Sequence, residues 1–273
     1  AWLWRRRIEK TAGATVLRKR SRALAVTLGI TGGLLLVGAW PFGQPVFSAY
    51  DDRLGDRPYQ AFIDAAIERG GLVVWSMPEA RDFHVYPFGP LGHVTVKTDP
   101  YPEALVQTTG YTGFGGLYQD TRTITQPGGI WDQVLRQHLI GQRSNSPFAF
   151  GEIAFHTPGS AGIELDQALT VLWVKDWTAD GMIDALRQGR FYATGKILRL
   201  DAFHVEFHGG QRMASSGDVL DHTDARNVTV RLSVTATDKG AHPISVTIIR
   251  SGQVVSKVAG VTPFEQQFVD DTV

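Results

Sequence analysis

Residues 58–80, PYQAFIDAAIERGGLVVWSMPEA, decide how the rest of the chain is read. Tyr59, Phe62, Ile63, Ala66 and Ile67 recur at helical spacing, which predicts an amphipathic helix opening at Pro58. Gly70-Gly71 ends it, because glycine supplies the left-handed cap that other residues adopt only with strain. Leu72-Val73-Val74-Trp75 follows at once, a short apolar run of the kind buried on both faces of a sheet. Helix, turn and buried strand are the units of an α/β domain.

Downstream the alternation continues. His93–Lys97 (HVTVK) alternates like a strand, and Pro102–Gln107 predicts a short helical turn. Residues 110–129 hold several glycines among Tyr111, Phe114 and Tyr118 and read as a structured loop. Ile130–Leu139 predicts a helix, and Phe148–His156 and Leu169–Val174 predict strands. Thr178 can cap a helix over Ala179–Arg187, with Gly189 at its end. These signals define an α/β domain over residues 58–198. Past Lys196 they give way to β-branched and alternating segments at Ile197–Phe207, Val228–Thr235, Ile244–Arg250, Val254–Val258 and Phe264–Val269. Residues 199–273 are therefore expected to form a small antiparallel β-sandwich, cut short at its last strand.

Upstream, residues 1–22 carry eight of the 27 Lys/Arg and one of the 27 Asp/Glu, so a formally neutral chain of 273 residues hides a basic tip on an acidic body. That layout is not a nucleic-acid protein's. Ala23–Trp40 (ALAVTLGITGGLLLVGAW) holds no charge, and Pro41 and Phe42 close it. Residues 23–42 are read as a transmembrane anchor or a signal segment: the long basic region favours an uncleaved anchor, while Val37-Gly38-Ala39 offers small residues at a signal peptidase's spacing. The N-terminus is then cytoplasmic, residues 43–57 form a linker, and the main domains lie outside the cytoplasm, in the periplasm or at the cell surface. With no cysteine, disulfide scaffolds and thiolate chemistry are excluded.

Three places carry candidate chemistry. In Gly151–His156 (GEIAFH), a strand puts Glu152 and His156 on one face, a workable corner for a hard or borderline cation. The same spacing also fits an ordinary hydrogen-bonded pair. Glu79, Asp82 and His84 follow the carboxyl end of the Leu72–Trp75 strand, where α/β folds place their sites; Glu79 and His84 are candidate metal ligands or surface residues. Arg143, in the polar loop 141–146, offers a guanidinium that can hold a phosphate in bidentate fashion. His204, Glu206 and His208 share a strand face in the C-terminal region, where a solvated face explains them.

On residues 58–80, 98–120, 127–135, GEIAFH and 170–194, the last of which contains DALRQGRFYAT, the chain resembles the PHP (polymerase and histidinol phosphatase) superfamily of metal-dependent phosphoesterases. It looks closest to the branch with a membrane segment and a C-terminal β-sandwich. The resemblance implies a partial or distorted βα barrel with divalent Mn, Zn or Fe at its mouth and hydrolysis of a small-molecule phosphoester. It would make His156 a metal ligand, with Glu152, Glu79 and His84 compensating, and Arg143 the substrate-binding cation. The first His-x-His motif of that family is absent. Met77 stands where the family has histidine, and Ala154 where it has aspartate. The expected function is thus a membrane-anchored hydrolase with a degenerate metal site. The alternative is a non-catalytic, membrane-tethered binding or scaffold protein, whose sandwich resembles carbohydrate- or protein-adhesion modules in pattern.

Overall fold

The computed structural model describes residues 7–11, 14–18, 22–39, 52–118, 121, 123–154, 164–207, 212–219 and 228–271. The chain forms two compact units that meet in sequence at Gly55 and Asp56. The first holds a hairpin of β1 (Arg7–Thr11) and β2 (Ala14–Arg18), followed by α1 (Arg22–Ala39). Because α1 starts at Arg22, its charge-free part covers about 26 Å at ~1.5 Å per residue, against a hydrocarbon core of about 30 Å. Trp40, Pro41 and Phe42, expected to complete a span over 23–42, lie outside the described residues. The sequence reading expected a transmembrane helix over 23–42; among the described residues no helix is long and apolar enough to cross a membrane.

The second unit opens with α2 (Arg57–Glu68), whose Pro58 sits in the first turn, where a missing N–H costs no helical bond. Gly70 then adopts a φ of 76°, and the chain enters β3 (Val74–Trp75). Of the expected apolar face only Ile63 is fully buried, while Phe62 stays 68% exposed. Next come β4 (Asp82–Pro87), β5 (His93–Thr98), α3 (Ala104–Gln107), β6 (Gly113–Leu117), α4 (Ile130–Leu139) and β7 (Phe148–Gly151). The glycine-rich stretch expected to be loop is in fact β6, the central strand of a parallel sheet ordered β3-β6-β7. Glycine has little strand propensity, but here backbones and rings approach too closely for any side chain. A Cβ on Gly113 would stand 2.3 Å from the Phe148 carbonyl and 2.4 Å from the Phe150 ring, and one on Gly116 would stand 2.5 Å from Ala149 Cβ.

Helices α2, α3 and α4 cover this sheet through Ile63, Leu105 and Val134, which close with Tyr111, Phe114 and Ile124 into the buried core. Each such side chain contributes roughly 1.5–3 kcal/mol on burial. Strands β8 (Leu169–Leu172) and β9 (Phe191–Thr194) pair antiparallel with each other, joined by α5 (Ala179–Gln188). Thr178 Oγ1 caps α5 by accepting the Gly181 N–H at 3.1 Å, and Gly189 ends it in the left-handed region, as the sequence predicts. Phe148 and Phe150 of β7 pack their rings against Phe191 at 5.8 and 4.5 Å.

The remaining strands are β10 (Leu198–Phe207), β11 (Arg212–Ala214), β12 (Val228–Ala236), β13 (Pro243–Arg250), β14 (Gln253–Val261) and β15 (Phe264–Asp270). They make a four-stranded antiparallel sheet, ordered β11-β10-β12-β15, and a separate β13-β14 hairpin. The fold class therefore differs from the expected distorted barrel followed by a sandwich. Among the described residues strand exceeds helix, 37% against 26%, in several small sheets with no closed barrel. Barrel closure needs every strand to have two neighbours. Here residues 82–98 leave the sheet as the β4-β5 hairpin, and β8 and β9 spend their ladder on each other. Parallel pairing among the described residues stops at three strands.

Candidate active site

Parallel strands end side by side, so the first residues beyond β3, β6 and β7 are brought together at one edge of the sheet. They are Ser76 and Met77 after β3, Tyr118 after β6 and Glu152 after β7. Glu152 is fixed at the backbone by its N–H, which donates to the Leu117 carbonyl at 3.0 Å. Its carboxylate reaches across the central strand. Oε2 accepts the Met77 N–H at 2.9 Å and the Ser76 hydroxyl at 3.4 Å. This path exists because Gly115 has no side chain: a Cβ there would lie 2.1 Å from Oε2 and 3.0 Å from the Met77 nitrogen. Met77 itself has a φ of 43°, a left-handed conformation that costs a non-glycine residue about 1 kcal/mol or more. It turns the Met77 N–H onto the carboxylate.

Beside Glu152 is a cavity of about 380 Å³ lined by Met77, Leu117, Tyr118, Ile153, Gln167 and Ala168, with Ala154 at its edge. The walls are mostly apolar. Burial raises the Glu152 pKa above the ordinary carboxyl range, and the bonds from Met77 and Ser76 oppose that shift. The Tyr118 phenol is pushed up to about 12, chiefly by burial, so it keeps its proton at neutral pH. Its oxygen accepts the Glu79 N–H at 2.6 Å, which fixes the hydroxyl at the cavity wall. Tyr101 is also raised, by burial first and by the Glu152 charge second, and its hydroxyl donates to the Ser76 carbonyl. The edge thus holds one half-buried carboxylate among phenols that stay neutral donors.

The residues expected to share a metal centre are dispersed. The Glu79 carboxylate accepts the Thr123 N–H at 2.9 Å, the Thr123 hydroxyl and the Ile124 N–H at 3.4 Å, and so holds the loop before α4. His84 stands on the exposed β4-β5 hairpin, 2.9 Å from Asp82. His156 lies outside the described residues, as does His208. Glu206 pairs with Arg231 at 2.8 Å. Among the described residues no group of three or more His, Asp or Glu could hold a metal ion. The described donors therefore do not fit the multinuclear Mn, Zn or Fe centre that the resemblance implies.

Arg143 is 3% exposed rather than presented to solvent. Its Nη2 donates to the Leu105 carbonyl at 2.9 Å and to Gln137 Oε1 at 3.0 Å, and its guanidinium lies 5.1 Å from the Tyr111 ring centre. It stitches α3 and α4 to the core, where a substrate anion would have to be buried as well.

The sequence reading missed Tyr118, Ser76, Met77 and Gly115 as site residues. The available signal was the run Gly113-Phe114-Gly115-Gly116-Leu117-Tyr118: a strand that needs glycine invites a close neighbour, and the residue after it sits at a strand end. Comparison with models of protein families, with curated proteins and with solved structures finds no match to this chain.

Proposed function

We propose that this protein is an acid–base enzyme that moves a proton on a small, mostly apolar substrate at the carboxyl edge of β3-β6-β7. Glu152 is the base that takes the proton, and Tyr118 donates a hydrogen bond to the oxygen on which charge develops. The observation that carries this reading is the Glu152 carboxylate, partly desolvated at a cavity wall and aimed by a strained N–H and a missing Cβ. Desolvation strengthens a carboxylate as a base, and a raised pKa brings it closer to working pH. Among the described residues the cavity lining carries a carboxylate and no cation, so an uncharged substrate fits better than a phosphoester.

The test uses a reaction that reports any desolvated carboxylate. With nitrobenzisoxazole, Glu152 would remove the ring C–H proton as the N–O bond breaks, releasing a coloured cyanophenolate. The wild type is expected to turn over the probe at least tenfold faster than Glu152→Gln, with a rate that rises with pH as the carboxylate ionises. Equal rates in folded wild type and Glu152→Gln overturn the assignment.

A further inference from the structure

The C-terminal strands leave a second cavity, distant in sequence from Glu152 and different in chemistry. It occupies about 730 Å³ between the β11-β10-β12-β15 sheet and the β13-β14 hairpin. Its walls include Phe203, Phe207, Leu232, Ile248, Val255 and Phe268, and its polar lining is confined to Thr247, Arg250 and Asp270.

The cavity has a geometric cause. Strands lie about 4.8 Å apart, so a two-stranded hairpin covers roughly half the width of a four-stranded face. The hairpin is also held in place. At its base, Thr262, which is 2% exposed, accepts the His242 N–H at 2.9 Å and donates its hydroxyl to the Gly240 carbonyl at 2.8 Å. At its tip, a Cβ on Gly252 would stand only 3.3 Å from Gly128 Cα, so the turn rests against the loop before α4. Anchored at both ends, the hairpin does not collapse onto the sheet.

Water filling such a space, at about 30 Å³ per molecule, would number roughly two dozen, nearly all against apolar walls. An apolar occupant releases them. The polar end selects its head group. Asp270 is 6% exposed and is paired with Arg250, so the polar end of the cavity is an ion pair with no net charge. A charged head would have to break that pair and leave a buried ion behind, whereas a hydroxyl or amide bonds to it intact.

We infer that the space between β12 and the β13-β14 hairpin is a binding site for a neutral amphipathic small molecule, an apolar body ending in a hydroxyl or amide seated against Arg250 and Asp270.

The experiment uses the full chain and the neutral dye N-phenylnaphthylamine, whose fluorescence rises in apolar surroundings. The wild type is expected to bind the dye and release it to dodecanol at concentrations at least tenfold below those needed with dodecanoate. Val246→Phe puts a ring into the cavity and is expected to weaken dye binding at least tenfold with an unchanged circular dichroism spectrum. If that variant does not fold, Val255→Met fills the same space from β14 and carries the same expectation. Absence of dye binding by the wild type, or an unchanged dissociation constant in a folded filled variant, overturns the site. Dodecanoate competing as well as dodecanol overturns the neutral head group.

Discussion

A carboxylate placed across a glycine can be displaced without unfolding the protein. The Cβ of Gly115→Ala would meet Glu152 Oε2, the far end of a flexible side chain, so the carboxylate swings away, while the Met77 backbone nitrogen at 3.0 Å has to give by a few tenths of an ångström. The Met77 N–H then loses its acceptor, worth about 1 kcal/mol. Gly115→Ala is therefore expected to lose the Glu152-dependent turnover of nitrobenzisoxazole while melting within a few degrees of the wild type, as read by parallel rate and melting measurements. The raised pKa of Glu152 has its own signature. A carboxyl whose pKa is higher folded than unfolded holds its proton more tightly in the native state. Its contribution to stability is complete below the ordinary Glu value of 4.5 and is lost as pH rises through the folded value. Denaturation across that range is expected to show the wild type falling relative to Glu152→Gln as pH rises; a constant difference would mean that the carboxyl is not desolvated.

At the scale of elements, the glycines of β6 divide by what faces them. Gly113 faces the Phe148 backbone carbonyl, which cannot move without breaking the β6-β7 ladder, and the Phe150 ring, which is packed against Phe191. Gly113→Ala is expected to cost ~3 kcal/mol or more, read as a large drop in denaturation midpoint. The contrast with Gly115 explains why this strand was hard to read from sequence. Propensity scales treat each glycine as a lost side chain, whereas β6 uses its glycines to admit its neighbours. The LVVW strand and the Thr178-capped helix were legible because their signals are local. Glu152 was read as a metal ligand on a strand running to His156, whereas β7 ends at Gly151 and leaves Glu152 as the first residue beyond it. Glu79 and His84 were not legible, because their fates depend on a loop 44 residues away and on the 82–98 segment leaving the sheet. Arg143 looked exposed in a polar loop. Its burial follows from the carbonyl of Leu105 and the ring of Tyr111, partners no spacing rule reveals.

For the whole molecule, alternation of helices and strands predicted more regularity than the chain attains. The second unit begins as a parallel α/β sheet and then changes habit. After β7 each strand pairs antiparallel, and the sheet stops at three strands. The carboxyl edge where Ser76, Met77, Tyr118 and Glu152 meet borders the 380 Å³ cavity. One hollow thus lies at the end of a short parallel sheet and another under a narrow hairpin, and they differ in charge as well as size.

The left-handed Met77 gives the first hollow a particular temperament. The peptide that grips Glu152 also gains by letting go, because rotating back to an ordinary backbone angle relieves its strain. On the proposed reading, activity and folding are uncoupled: gentle warming is expected to slacken the grip while the aromatic heart around Phe114 and Tyr111 stays shut, so that turnover of nitrobenzisoxazole is lost below the melting temperature.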